Sequence, residues 1–213
     1  MTPPSHMKQT VLELVQNKKD LQIELGCGNR KRHASAVCID LIPNECVDII
    51  GDIVEVLTYF PDNCVSAVYA YHCLEHIREL PSLVALLARI MKSQGQFRVV
   101  VPHFSNPYFY SDPTHVTPFG LYTFSYLAKD SLMTRKVPNY HDAYLFDLCS
   151  VKLVFKSPRP YYFRWGIKRM FQTLFNLNHY FMEFYEENLC YLVPCYEIVY
   201  ELKRNENPAS EPL

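Results

Sequence analysis

Apolar and polar positions alternate along this chain in two rhythms. Short, near-continuous apolar runs at Leu21–Gly26, Ala36–Leu41, Val47–Gly51, Val65–Tyr71 and Gln96–Val101 read as strands. Between the last two, Pro81–Lys92 repeats its apolar residues at helical spacing. Proline stands in its first turn and Gly95 follows its end, the usual punctuation of a helix. Residues Val11–Lys19 read as a helix leading into the first strand. Apolar strands alternating with helices predict a doubly wound, Rossmann-like α/β sheet, mostly parallel, with helices on both faces.

The pattern changes after Pro102. Residues His103–Tyr126 hold eight aromatics and three prolines, which reads as a long aromatic loop leading into a helix near Pro118–Leu127. Such loops at the carboxyl edge of a parallel sheet carry binding groups. Leu148–Phe155 and Tyr196–Lys203 read as two last strands, bringing the count to seven, and flank a helical stretch of about Trp165–Asn188. The expected organisation is one domain over 1–213. Residues 8–102 form its first half and 103–204 its second. Residues 205–213 are read as a disordered tail and Met1–Met7 as a loose leader.

Composition narrows the class. The chain has 213 residues, half of them hydrophobic, and a net charge of −1. That is enough apolar material for a substantial core. No basic cluster suggests a nucleic-acid partner. No apolar run approaches the roughly 20 residues of a membrane-spanning helix, and no secretory signal is evident. A cytoplasmic location is therefore expected. The eight cysteines are scattered singly without a C-x-x-C pair, so small buried thiols are expected rather than a zinc or disulfide framework.

Candidate chemistry gathers at the strand ends. Leu21–Leu25 runs through Glu24 into Gly26-Cys27-Gly28, and the next strand closes on Asp40. Glycines allow a sharp turn and close approach to a ligand, and an acid at the second strand's end can grip two ribose hydroxyls. Lys31 stands where a dinucleotide fingerprint needs its third glycine, and Asp40 comes too early for that fingerprint. These residues, from about Leu21 to Pro102, resemble motif I and the cofactor half of the class I S-adenosylmethionine-dependent methyltransferases, departing from its fullest form at Arg30.

The resemblance implies S-adenosyl-L-methionine as cofactor and an antiparallel last strand. It implies Glu24 near the cofactor's amino group, and Gly26, Cys27 and Gly28 beside its methionine and ribose. Asp40 and Leu41 would lie at the ribose, and Asp52 and Ile53 at the adenine. Asp52 also reads as a helix N-cap. Tyr71 and His72, at the exit of the fourth strand, would line the methionine moiety. The letters His72-Cys73-Leu74-Glu75-His76 also spell H-x-x-E-H, but Pro81 cuts the long helix that a zinc peptidase needs, so no metal is assigned.

On the acceptor side, His103, Asp112 and His115 are the catalytic candidates, since a hydroxyl acceptor needs a base within reach. Asp112 and His115 could orient one another, or join His103 around a divalent ion. The run Asp112–His115 followed by Pro118 is similar to bacterial methyltransferases of surface-polysaccharide pathways. That likeness implies methylation of a small-molecule or saccharide acceptor, first of all at oxygen. N- or C-methylation, or a cofactor-binding module without turnover, are the alternatives. Arg159–Arg169 mixes basic and aromatic residues, which suits a core helix, a homodimer contact or a peripheral membrane surface.

Overall fold

The computed structural model describes residues 4–17, 20–138, 144–157 and 160–206. Helix α1 (Pro4–Asn17) leads into β1 (Leu21–Leu25), β2 (Val37–Asp40) and β3 (Ile49–Ile50). Helix α2 (Ile53–Thr58), β4 (Val65–Tyr71), α3 (Leu80–Ile90) and β5 (Met91–Pro102) complete the first half. The second half holds α4 (Pro107–Ser111), β6 (Lys129–Asp130), β7 (Phe146–Val154), α5 (Tyr162–Phe175), α6 (His179–Asn188) and β8 (Glu197–Arg204). Among the described residues, no helix is long and apolar enough to cross a membrane.

One sheet holds all eight strands in the order β3-β2-β1-β4-β5-β8-β7-β6. Strands β3 to β5 are parallel, and β8 runs antiparallel to both β5 and β7. The chain winds outward from β1 to β3 and then returns to β4 on β1's other side. The carboxyl ends of β1 and β4 therefore flank the point where winding reverses, and a crevice opens there. The eighth strand is β6, a two-residue polar edge with no apolar run to announce it.

Burial departs from the expectation of helices on both faces. On one face Ile23, Leu25, Val68, Phe97, Val99, Ile198, Tyr200 and Leu153 are all fully buried. Each contributes about 1.5–3 kcal/mol by leaving water. On the other face the register aligns Cys38, Glu24, Tyr69, Arg98, Glu201 and Ser150 in one row across six strands. The connection from β1 to β2 holds no helix, and its loop reaches as far as Tyr69 and Tyr71 on β4. From Tyr69 to Ser150 this row is partly or fully exposed, with an Arg98–Glu201 ion pair in it and the His33 ring stacked 3.5 Å from Tyr69. The run Val65–Tyr71 conceals this because its outward residues are serine and tyrosine among small apolar neighbours.

Other boundaries move for physical reasons. Residues 118–127 form turns and one 3₁₀ turn at Phe124–Tyr126 instead of a helix. The Phe119 carbonyl accepts from Phe104 N–H at 2.8 Å and Leu121 N–H donates to Glu186 at 2.7 Å, so tertiary partners replace helical ones. The stretch Trp165–Asn188 is two helices. Asn178 caps the second, and Asn176 binds both backbone groups of Leu153 on β7. Met7 is no loose leader but a buried residue, and a Cβ on Gly51 would lie 2.9 Å from its methyl. Asn205, placed in the expected tail, bonds Leu145 and Tyr144; residues 207–213 lie outside the described residues.

Candidate active site

The loop after β1 is shaped by its two glycines. Gly26 has φ +64°, and a Cβ there would lie 2.8 Å from the Cβ and Sγ of Cys73. Gly28 has φ +56°, with open space where a side chain would point. Two carboxylates hold this loop. Asp40 accepts from Gly28 N–H and from Ile42 N–H, each at 2.9 Å, and so joins the glycine turn to the exit of β2. Glu24, almost fully buried, accepts from Arg32 N–H at 3.0 Å and His33 N–H at 2.9 Å. Both Glu24 oxygens thus organise the loop. An open cleft of about 740 Å³ is lined by Glu24, Gly26, Gly28, Arg30, Arg32 and Tyr71.

Cys27 carries a correction to the expectation of free thiols. It forms a disulfide with Cys38 on β2, and Cys46 Sγ lies 3.9 Å from its sulfur. Scattered in sequence, these thiols meet because β1 pairs with β2. The residues expected at the adenine also have partners within the fold. Asp52 caps α2 by accepting from Glu55 N–H at 3.0 Å, and Ile53 packs in the core. The apolar surface beside Asp40 comes from Leu41, 62% exposed, and Ile42, 70% exposed.

At the exit of β4, Tyr71 hydroxyl meets His33 Nε2 at 2.8 Å, and the Arg32 guanidinium lies 4.4 Å from the Tyr71 ring. His72 has φ +53°, a strained conformation for a non-glycine residue. Its Nε2 is 3.0 Å from Glu197 Oε1 on β8, and its Nδ1 is 3.5 Å from Glu75 Oε1. Pairing with Glu197 first, and with Glu75 next, raises the His72 pKa to about 9. Burial pulls Glu197 upward, but hydrogen bonds from His72 and Lys156 outweigh it and leave the carboxyl below its usual value. Lys156 Nζ stands 2.6 Å from Glu197 Oε1 and borders a cavity of about 600 Å³ lined also by Tyr108, Trp165, Arg169, Gln172 and Tyr196.

The three catalytic candidates separate. His103 is fully buried. Its Nδ1 accepts from Ser105 N–H at 3.1 Å, so its Nε2–H donates to Glu186 at 3.0 Å. Both nitrogens are occupied, which corrects its assignment as a base or as a ligand beside His115. Asp112 Oδ1 accepts from Thr114 Oγ1–H at 2.6 Å and from Thr114 N–H at 2.9 Å, and these bonds lower its pKa. His115 donates from Nδ1 to the Phe109 carbonyl at 2.9 Å, leaving an Nε2 lone pair 3.7 Å from Asp112 Oδ2 and 4.0 Å from Glu75 Oε1. Sequence reasoning missed Glu197 and Lys156. A lone acid opening an apolar strand was the one available signal for the first.

Residues 23–99 match a family model described as a methyltransferase domain. No curated protein matches the chain. Among solved structures, a S-adenosylmethionine-dependent methyltransferase from Archaeoglobus fulgidus is 18% identical, with a TM-score of 0.52 and 94% of each chain covered. Phosphoethanolamine N-methyltransferase 2 from Haemonchus contortus, in complex with S-adenosyl-L-methionine, is 14% identical with a TM-score of 0.52. That match covers 95% of this chain and 53% of the other. Residues 23–99 therefore carry a methyltransferase domain, and the solved structures share the Rossmann-like fold of S-adenosylmethionine-dependent methyltransferases. The chain accordingly holds a domain for methyl transfer, in a fold whose solved members include one in complex with S-adenosyl-L-methionine.

Proposed function

We propose that the enzyme moves the methyl group of S-adenosylmethionine to a hydroxyl oxygen of a saccharide or other small polyhydroxylated acceptor. The observation that carries this reading is the cavity bordered by Trp165, Tyr108 and Tyr196 together with Lys156 and Arg169. Flat aromatic faces suit sugar rings, and the cationic groups suit hydroxylated or anionic substituents. The ion-paired sequence Lys156–Glu197–His72 joins this cavity to the exit of β4.

In the same reading Asp40 receives the ribose hydroxyls, exposed Leu41 and Ile42 cover the adenine, and the open space at Gly28 admits the ligand. The backbone of Tyr71 and His72 lines the methionine end. The acceptor oxygen attacks the methyl carbon in line, the carbon–sulfur bond breaks, and the sulfonium becomes a neutral thioether. Alignment and exclusion of water supply most of the acceleration. The acceptor's proton passes to solvent as the new bond forms.

The test is turnover with methyl-labelled cofactor over a panel of sugars, nucleotide sugars, catechols and amines, with the product's methylated atom assigned by NMR. An O-methyl sugar is the expected product. Methylation confined to amines or carbon acids overturns the acceptor assignment, and cofactor binding without turnover on any acceptor favours a binding module.

A further inference from the structure

We infer that Glu75, His76 and His115 form a binding site for one divalent transition-metal cation. One oxygen of Glu75 and one nitrogen of each histidine lie within 4.8 Å of one another. Glu75 is 1% exposed, and neither of its oxygens has a hydrogen-bond partner, alone in this among the buried side chains described. A buried carboxylate left without hydrogen bonds is strongly unfavourable unless a charge satisfies it. His72 Nδ1, at 3.5 Å, supplies charge but no hydrogen bond.

The two histidines are already in the tautomer a metal requires. Thr114 Oγ1 uses its proton on Asp112, so it accepts from His76 Nδ1–H at 3.0 Å. The Phe109 carbonyl accepts from His115 Nδ1–H. Each ring therefore keeps its Nε2 lone pair for a ligand, while the Nδ1 partner fixes its orientation, the usual support for a metal-bound imidazole. The backbone is braced as well. The Glu75 carbonyl accepts from Val116 N–H at 2.8 Å and Thr117 N–H at 3.1 Å, and Thr117 Oγ1–H donates to Ile77 O at 2.6 Å. The 3₁₀ turn of Glu75 and the loop of His115 are thus clamped together before any ion arrives. Asp112 Oδ2, 3.7 Å from His115 Nε2, stands by as a further oxygen donor.

Two imidazoles and one carboxylate favour zinc, manganese, cobalt or iron over magnesium. Three protein ligands leave a coordination position open. On the O-methylation reading, the acceptor hydroxyl takes that position and is acidified there, its proton passing to solvent as its oxygen attacks the methyl carbon.

The experiment uses tag-free, chelator-stripped protein titrated with Zn²⁺, Mn²⁺ and Mg²⁺ by calorimetry and with Co²⁺ by visible absorption. One equivalent of Zn²⁺ or Co²⁺ is expected, with imidazole-bound Co²⁺ bands. Binding should weaken by more than about 100-fold in His76→Ala and in His115→Ala. His76 is exposed, so its variant keeps the fold, and S-adenosylhomocysteine binding verifies folding in each protein. Wild type that binds S-adenosylhomocysteine but no metal overturns the site, as does metal binding indifferent to both variants. Stoichiometric metal binding without O-methylation of any hydroxyl acceptor upholds the site and overturns the acceptor reading alone.

Discussion

His72 and Glu197 are 125 positions apart in the chain, yet their side chains meet at 3.0 Å where β4 and β8 reach the same edge of the sheet. The contact joins the exit of β4 to the cavity bordered by Lys156 and Trp165, and it sets a pH dependence.

Stability should fall on the alkaline side. The folded pKa of His72 is raised from 6.5 to about 9, so its stabilisation is fully present below about 6.5 and is lost as pH rises through about 9. Thermal melts between pH 6 and 10 should show the midpoint declining across this window, and His72→Gln should flatten the decline. A wild-type midpoint independent of pH there would contradict the ion pair.

Asp40→Ala should weaken S-adenosylhomocysteine binding by roughly 10- to 100-fold, as expected for lost hydrogen bonds to a charged group. The variant removes any ribose contact and also frees Gly28 N–H and Ile42 N–H. Calorimetry checks this, and an unchanged dissociation constant would remove Asp40 from the cofactor site.

Gly26→Ala should destabilise the fold by about 1–3 kcal/mol, the range for a strained left-handed residue or an overpacked core. The added methyl would meet Cys73 while the backbone stays at φ +64°. Urea unfolding measures it, and a change below about 0.5 kcal/mol would mean that the loop relaxes freely.

His103→Phe should lower stability by about 1–3 kcal/mol through the unpaired Ser105 and Glu186 groups, and leave cofactor affinity unchanged. Paired unfolding and binding measurements decide the matter. Intact stability with impaired turnover would restore His103 to a direct catalytic role.

Trp165→Ala should raise the acceptor KM by roughly 2- to 10-fold, in keeping with the loss of one aromatic contact, without altering the KM for S-adenosylmethionine. Steady-state kinetics varying each substrate in turn separate the two effects. A change confined to the cofactor would put Trp165 outside the acceptor cavity.

Much of the first half was legible because its signals are local. Val65–Tyr71 is the same strand in both readings, and Gly26 and Gly28 are the two glycines with left-handed backbone. Proline in the first turn of α3 and the apolar repeat behind it were equally plain. The helix proposed over Pro118–Leu127 failed because its backbone groups find partners far away in sequence, in Phe104 and Glu186. Periodicity cannot see such partners.

Residue order alone determined the alternation of strands and helices, the glycine turn and the acid that closes β2, since each depends on neighbours a few positions apart. Tertiary structure decided which carboxylates are free. It turned Glu24 onto its own loop and Asp52 onto a helix end, and it left Glu75 buried between His72 and His115 with no hydrogen bond. The physical reason is that a carboxylate's chemistry depends on the donors and charges around it. For Glu75 and Glu197, those groups come from strands and loops that only folding brings together.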